Sequence, residues 1–404
     1  MWARCARAMQ PSTEAPLARL LDAIERELPS AVELRHRLHA SPELAHREQA
    51  TAQAIERELP VACEVIAGTG RLARVGSPHG QAVGVRAELD GLPISERTDA
   101  PFRAPTNMHA CGHDVHMAAL VALVRAAHGL ADELPAPLVA IFQPSEEAYP
   151  SGAAQIAAEL EPQALAAGVA AHIHPELPWG AMALDPGAVN AASDAVEITI
   201  EGEPSHGAYP HQGRDPVLAI AQVVVALHAQ VSRRLDPLHA GLLNIGTLEG
   251  GAAENVIPQQ ARARAALRAQ RPQERLALRA MVQEVVEGIA AAHGCKGEVR
   301  LTEGEPPLEN DPRIVQLGHQ LMQAAGLTRA REWRSYGSDD FAFLGELAPI
   351  AIGFVGLDGA PGFLPRPLHH PELLPPDEAV ALVARAQALL YLAAAGAHAG
   401  GASA

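Results

Sequence analysis

The 404-residue sequence predicts an α/β fold, a doubly wound and largely parallel sheet covered by helices, with an α+β unit inserted into it. Two observations carry this. Short runs at residues 81–89, 137–142, 168–172 and 348–355 are mostly apolar, as strands buried on both faces are. Helical stretches separate them, the alternation that a parallel sheet requires.

In chain order, residues 17–28 and 31–39 are periodic enough for helix, with Pro29 as the expected break because proline removes one N–H and crowds the preceding turn. A further helix is predicted after Pro42, over 48–59. Residues 115–130, apolar on nearly every side, predict a buried helix between the first two strands. The middle third differs: a strand at 195–200, a Gly/Pro/His loop, a helix at 216–232, strands at 241–248 and 260–267, a helix at 273–293 and a strand near 299–301. That βαββαβ order is ferredoxin-like. The expected domains are 1–188 with 307–404, and an inserted 189–306. The Ala/Gly-rich tail, 393–404, is expected to fray.

Composition excludes several functions. Only 3% of residues are aromatic and the net charge is −16, so neither nucleic acid nor an anionic membrane is an expected partner. No apolar run is read as a membrane span, and residues 1–10 lack the apolar segment of a secretory signal, with Met9 an alternative start. Cys5, Cys63, Cys111 and Cys295 are too scattered for a disulfide framework, which fits a reducing, cytoplasmic setting.

Four stretches carry metal-type ligands at a strand end or in the loop beyond it: His109-Ala110-Cys111-Gly112-His113-Asp114, Gln143-Pro144-Ser145-Glu146-Glu147, His172-Ile173-His174-Pro175 and Leu368-His369-His370-Pro371. Thiolate, imidazole and carboxylate together suit a borderline-soft ion such as zinc. Cys-x-His spacing lets Cys111 and His113 face one ion. Adjacent Glu146 and Glu147 point opposite ways in extended chain, so one can hold metal while the other moves protons. Spacing leaves open which of His172 and His174, and which of His369 and His370, takes part. His36, His39, His128, His228 and His319 read as ordinary surface residues of helices. His206 reads as part of a turn-rich loop. No GxSxG elbow or complete nucleotide loop is present.

The segments Arg86-Ala87-Glu88-Leu89-Asp90-Gly91, Met108-His109-Ala110-Cys111-Gly112-His113-Asp114, Gln143-Pro144-Ser145-Glu146-Glu147, Gly213-Arg214-Asp215-Pro216, Asn255-Val256-Ile257-Pro258 and Pro367-Leu368-His369 resemble the M20 metallopeptidase family, in its aminoacylase/hippurate hydrolase branch. The resemblance runs from about Arg35 to Pro371. It implies a zinc-peptidase-like catalytic domain and an inserted lid that forms a homodimer. It implies two divalent ions per subunit, zinc before manganese, cobalt or nickel, held by Cys111, His113, Glu147, His172 and His369. Glu146 would be the general base, and His206, Asn255 and Gly337 would bind substrate. Glu88 stands where this branch commonly has Asp. The implied reaction is hydrolysis of N-acyl amino acids to a carboxylic acid and a free amino acid. The alternatives are a dipeptidase or carboxypeptidase, a catalytically silent metal-binding interaction protein, and Cys111 as a nucleophile.

Overall fold

The computed structural model describes residues 14–161, 164–239 and 241–401, so the readings made for residues 1–10, Cys5 and the last three residues lie outside it. The chain forms two compact units, one of residues up to 187 with 309–333 and 340–404, the other of residues 188–308 with 334–339.

The first unit begins with helices α1 (Glu14–His39) and α2 (Gln49–Glu58). Strands β1 (Cys63–Ile66), β2 (Gly70–Val75) and β3 (Ala82–Glu88) precede the buried helix α3 (His113–His128). Strand β4 (Leu138–Gln143), helix α4 (Gly152–Glu159) and strands β5 (Leu165–Pro178) and β6 (Ala181–Ala183) follow. The second unit supplies β7 (Ala192–Glu201), α5 (Pro216–Arg234), β8 (Gly241–Gly250), β9 (Gln260–Ala269), α6 (Pro272–Ala292) and β10 (Lys296–Glu303). The chain then re-enters the first unit through α7 (Pro312–Leu321), β11 (Thr328–Arg329), β12 (Ile350–Asp358) and α8 (Ala379–Gly401).

Sheet order in the first unit is β1-β2-β4-β3-β5-β12-β6-β11. Its centre, β4-β3-β5-β12, is parallel. The pairs β1/β2, β2/β4 and β12/β6 are antiparallel and β6/β11 is parallel, so antiparallel strands flank a parallel centre. The central strands are buried along their length, with α3 and α8 packed against them and against each other. In the second unit the order is β8-β9-β7-β10, antiparallel throughout, with α5 and α6 packed on it. That is the ferredoxin-like arrangement the βαββαβ order predicted. Its core alternates along β7 (Val196, Ile198, Ile200) and meets Ile220, Val223 and Leu227 of α5.

Several expectations change. Pro29 lies inside α1 without breaking it, because the buried stripe Leu17, Leu20, Ile24, Ala31, Leu34, Leu38 continues across it and outweighs one missing N–H. Residues 393–401 do not fray: they belong to α8, where Ala393, Ala394 and Ala395 are buried and Tyr391 donates to the Ala136 carbonyl. Both α5 and α8 are long and apolar enough to cross a membrane, against the sequence reading, although α8 is mostly buried as a core helix. Strand β5 runs on to Pro178, so His172 sits within it and not at its end.

Candidate metal centre

A reversal in winding direction places the site. From β3 the chain moves to β4 on one side and then to β5 on the other, and open α/β sheets take ligands beyond the strand ends at such a point. Asp90 follows β3, while Glu146 and Glu147 follow β4. Pairing of β3 with β5 stops at Arg86 and Ala170, so His172 lies two residues into the gap.

Cys111 and His113 come from the turn that opens α3. The residue between them, Gly112, has φ 83°. A Cβ there would lie 2.3 Å from Ile173 Cδ1, so only glycine lets this turn close on β5. Cys111 Sγ is 3.5 Å from His172 Nε2. Cys111, His113 and Glu147 offer ligand atoms within 4.8 Å of one another. His369 Nε2 is 3.1 Å from Glu147 Oε1, and the His369 N–H donates to the Ala110 carbonyl at 2.9 Å, tying its loop to the Cys111 turn.

Hydrogen bonds fix which ring nitrogens are available. His113 Nδ1 donates to the Asp90 carbonyl at 2.8 Å, leaving Nε2 with a lone pair. His172 Nδ1 donates to the Ile173 carbonyl at 2.7 Å, again leaving Nε2. His113 Nε2 and Glu147 Oε1 are buried, the first without a hydrogen-bond partner and the second facing the His369 ring at 3.1 Å. Buried lone pairs left unsatisfied are costly, and a cation held by a thiolate, imidazoles and a carboxylate would satisfy them. The residues therefore fit a divalent metal.

Electrostatics agree. Burial, with Glu147, Glu146 and Glu88 around it, pushes the Cys111 thiol well up. Burial pulls His113 down, but Glu88 and the bond to Asp90 outweigh it and raise the imidazole to about 10, the mark of a pocket rich in negative charge. A bound cation reverses both effects, since a coordinating thiol is deprotonated outright.

Glu146 approaches from the other side of the same turn, its Oε2 3.8 Å from His113 Nε2. Its position is set from behind. Ser145 has φ 50° and His46 φ 65°, left-handed conformations that cost non-glycine residues free energy. The buried Glu48 carboxylate holds both, accepting the Ser145 N–H at 2.9 Å and the His46 N–H at 3.0 Å. Asp90 Oδ2 accepts the Glu147 N–H at 2.9 Å, so the two glutamates diverge from a fixed backbone.

The structure thus brings Cys111, His113, Glu146, Glu147, His172 and His369 together. His174 instead packs on Trp333, ring centroids 4.7 Å apart, and His370 Nδ1 accepts the Glu372 N–H. His39 is no surface residue: it is fully buried, bonded to Asp114 at 3.0 Å, and Asp114 and Glu96 outweigh the effect of burial and raise it to about 9. His206, Asn255 and Gly337 lie in the second unit and are exposed there. Residues Ser205–His206 pair with Val256–Ile257, and the Gly207 N–H donates to the Asn255 carbonyl at 2.7 Å, so His206 and Asn255 are neighbours. The Gly337 carbonyl accepts the Ala191 N–H at 3.1 Å on another segment. The sequence reading passed over His116, although its spacing of three from His113 puts it on the same face of α3.

Comparison with known proteins identifies the family. The profile of peptidase family M20/M25/M40 matches residues 84–391. The chain belongs to this family. N-acetyl-L-cysteine deacetylase of Bacillus subtilis (strain 168) is 33% identical over 362 residues, 87% of this chain and 84% of that protein. N-acetyldiaminopimelate deacetylase of Bacillus pumilus (strain SAFR-032) is 30% identical over 363 residues, 86% and 94% of the two. Among solved structures, the YxeP protein of Bacillus subtilis, a dinuclear metal-binding peptidase from the M20 family, matches with a TM-score of 0.80 and 27% identity over 91% of this chain and 98% of that one. As an M20 member with this buried donor cluster, the chain is a metal-binding hydrolase.

Proposed function

We propose that this M20 hydrolase is an amidohydrolase that cleaves N-acyl amino acids into a carboxylic acid and a free amino acid. The deacetylase names of its relatives support that substrate class. The observation that carries the chemistry is a carboxylate, Glu146, held beside the clustered ligand atoms of Cys111, His113 and Glu147.

In this reading Cys111, His113, Glu147, His172 and His369 would hold two divalent ions per subunit, zinc before manganese, cobalt or nickel. Such ions, when bound, polarise the scissile carbonyl and lower the pKa of a water from 15.7 towards about 7. Glu146 takes a proton from the attacking water and delivers it to the leaving nitrogen, which leaves poorly without it. Glu48 and Asp90 keep Glu146 and Glu147 on their separate tasks. His206 supplies a donor to the developing oxyanion, with Asn255 and the backbone at Gly337 binding substrate.

Domain roles follow the family resemblance: residues 1–188 with 307–404 as the catalytic domain, and 189–306 as the lid through which a homodimer forms. The free thiols Cys63, Cys111 and Cys295 support a reducing, cytoplasmic setting. The charge of −16 argues against nucleic acid or an anionic membrane as a partner.

The deciding experiment assays N-acetyl and longer-chain N-acyl amino acids beside dipeptides, using enzyme stripped by a chelator and then restored with zinc or manganese. Hydrolysis of N-acyl amino acids that disappears on stripping and returns with metal is expected. Faster turnover of dipeptides would replace the substrate class with the dipeptidase reading. Activity indifferent to chelators would remove the metal and revive Cys111 as a nucleophile.

A further inference from the structure

Glu88, His113, His116 and His172 form a second cluster, all four buried, whose ligand atoms also lie within 4.8 Å of one another. By composition it is a metal site in its own right. Its hydrogen bonds argue otherwise.

Ile173 donates its N–H to His116 Nε2 at 3.0 Å, so that nitrogen is an acceptor and carries no proton. His116 Nδ1 must then hold the proton, and it lies 2.8 Å from Glu88 Oε2, to which it donates. Both ring nitrogens are engaged, leaving no lone pair for an ion. Arg86 is bonded to Glu88, Gln143 and Asp340, and against the effect of burial Arg86 and then His116 hold the Glu88 carboxyl well below the usual carboxylate range.

The position of His116 explains what the cluster does. Beyond Arg86 and Ala170, β5 has no pairing with β3, and the Ile173 N–H falls in this gap. His116 fills it from α3. On the other side of the same residue, the Ile173 carbonyl accepts from His172 Nδ1 at 2.7 Å. One continuous series therefore runs from Arg86 to Glu88, to His116, to the Ile173 peptide groups and to His172, whose Nε2 faces Cys111 Sγ at 3.5 Å.

We infer that Arg86, Glu88 and His116 form a positioning relay, not a metal site, which fixes the tautomer and aim of His172 through the backbone at Ile173. Ligand imidazoles are commonly oriented by a carboxylate or carbonyl on the other nitrogen, and losing such support typically costs 10–100-fold in metal affinity. Here the carboxylate acts at one remove, through a second histidine and the two peptide groups that flank the Ile173 Cα. His116 does not touch substrate. The inference rests on the metal-dependent reading of the site.

The test is zinc stoichiometry and affinity, measured by competition with a chromophoric chelator, in wild type, His116→Leu and His116→Gln. A glutamine can accept from the Ile173 N–H with its carbonyl and donate to Glu88 with its amide; leucine can do neither. His116→Leu is expected to keep the wild-type number of sites and to lose about 10–100-fold in affinity at one of them, with His116→Gln recovering most of that loss. Loss of one whole ion in both variants would make His116 a ligand and overturn the relay. Wild-type affinity in His116→Leu would overturn it too. A second measurement needs no variant to fold: nitrogen chemical shifts of the histidines in zinc-loaded wild type should show His116 protonated at Nδ1 and bare at Nε2, and a proton on Nε2 would sink the proposal. Failure of wild type to bind any zinc would instead remove the metal-dependent reading itself, and with it the His172 ligand this relay is meant to aim.

Discussion

Most candidate residues of the two units live in opposite environments; His369, exposed although it belongs to the first unit, is the exception. In the first unit Cys111, His113 and His172 are buried, and each imidazole has one nitrogen committed to a carbonyl. In the second, His206, Asn255 and Gly337 are exposed, and His206 Nδ1 only accepts the neighbouring Ala208 N–H at 3.0 Å. The contrast follows from what each set has to do. A ligand must present a lone pair in one direction with no water competing for it, and burial with a fixed tautomer achieves that. A group that meets substrate needs access first, and its hydrogen bonds are completed only when substrate arrives.

The largest expected effect tests the division of labour inside the buried set. Glu146→Gln should retain metal, by elemental analysis, while turnover falls roughly 10²–10⁴-fold, the usual worth of a positioned acid/base. Near-normal turnover would take the proton-transfer role away from Glu146. Cys111→Ala should do the reverse at source, lowering metal occupancy in the purified protein. Full occupancy in that variant would remove Cys111 from the ligand set. His206→Ala carries the contrast to the exposed set: metal content should stay at the wild-type value while turnover falls by about 10²–10³-fold, as when an oxyanion donor is lost. A drop in metal content there would break the distinction between the two regions.

The sequence was most legible where chemistry and strand ends coincide. Cys111, His113, Glu146 and Glu147 could be read together because short apolar runs mark where buried strands stop. The choice between His172 and His174 could not, since period-two geometry puts both on one face of an ideal strand. What separates them is the bond His172 donates to the neighbouring Ile173 carbonyl and, for His174, the Trp333 ring, which comes from far away in sequence. Pro29 misled because local propensity is weaker than a buried stripe of six apolar residues. His39 and His116 were missed for a common reason: a histidine on a helix looks bland until its partners, Asp114 and Glu88, are placed beside it by the fold.

The smallest effect concerns the second unit's own buried charges, which serve its fold rather than a ligand. Asp194 on β7 is buried and bonded to Arg275 at 2.6 Å and Arg279 at 2.7 Å, both from α6. Burial would raise its pKa, but the two guanidinium groups outweigh that and lower it to about 2 from an ordinary 3.8. Because the folded value is the lower one, the stabilisation is fully present above pH 4 and fades as pH falls through 2. A depression of this size corresponds to about 2 kcal/mol near neutrality, of which about half is gone by pH 3. Asp194→Asn should therefore destabilise the protein by about 2 kcal/mol in denaturant unfolding at pH 7, by about half that at pH 3, and should leave metal content unchanged. A difference that stays constant across that range would mean the Asp194 carboxylate acts through its shape and hydrogen bonds alone. A loss of bound metal would mean that the charges of this unit, unlike its exposed loop residues, are coupled to the metal centre.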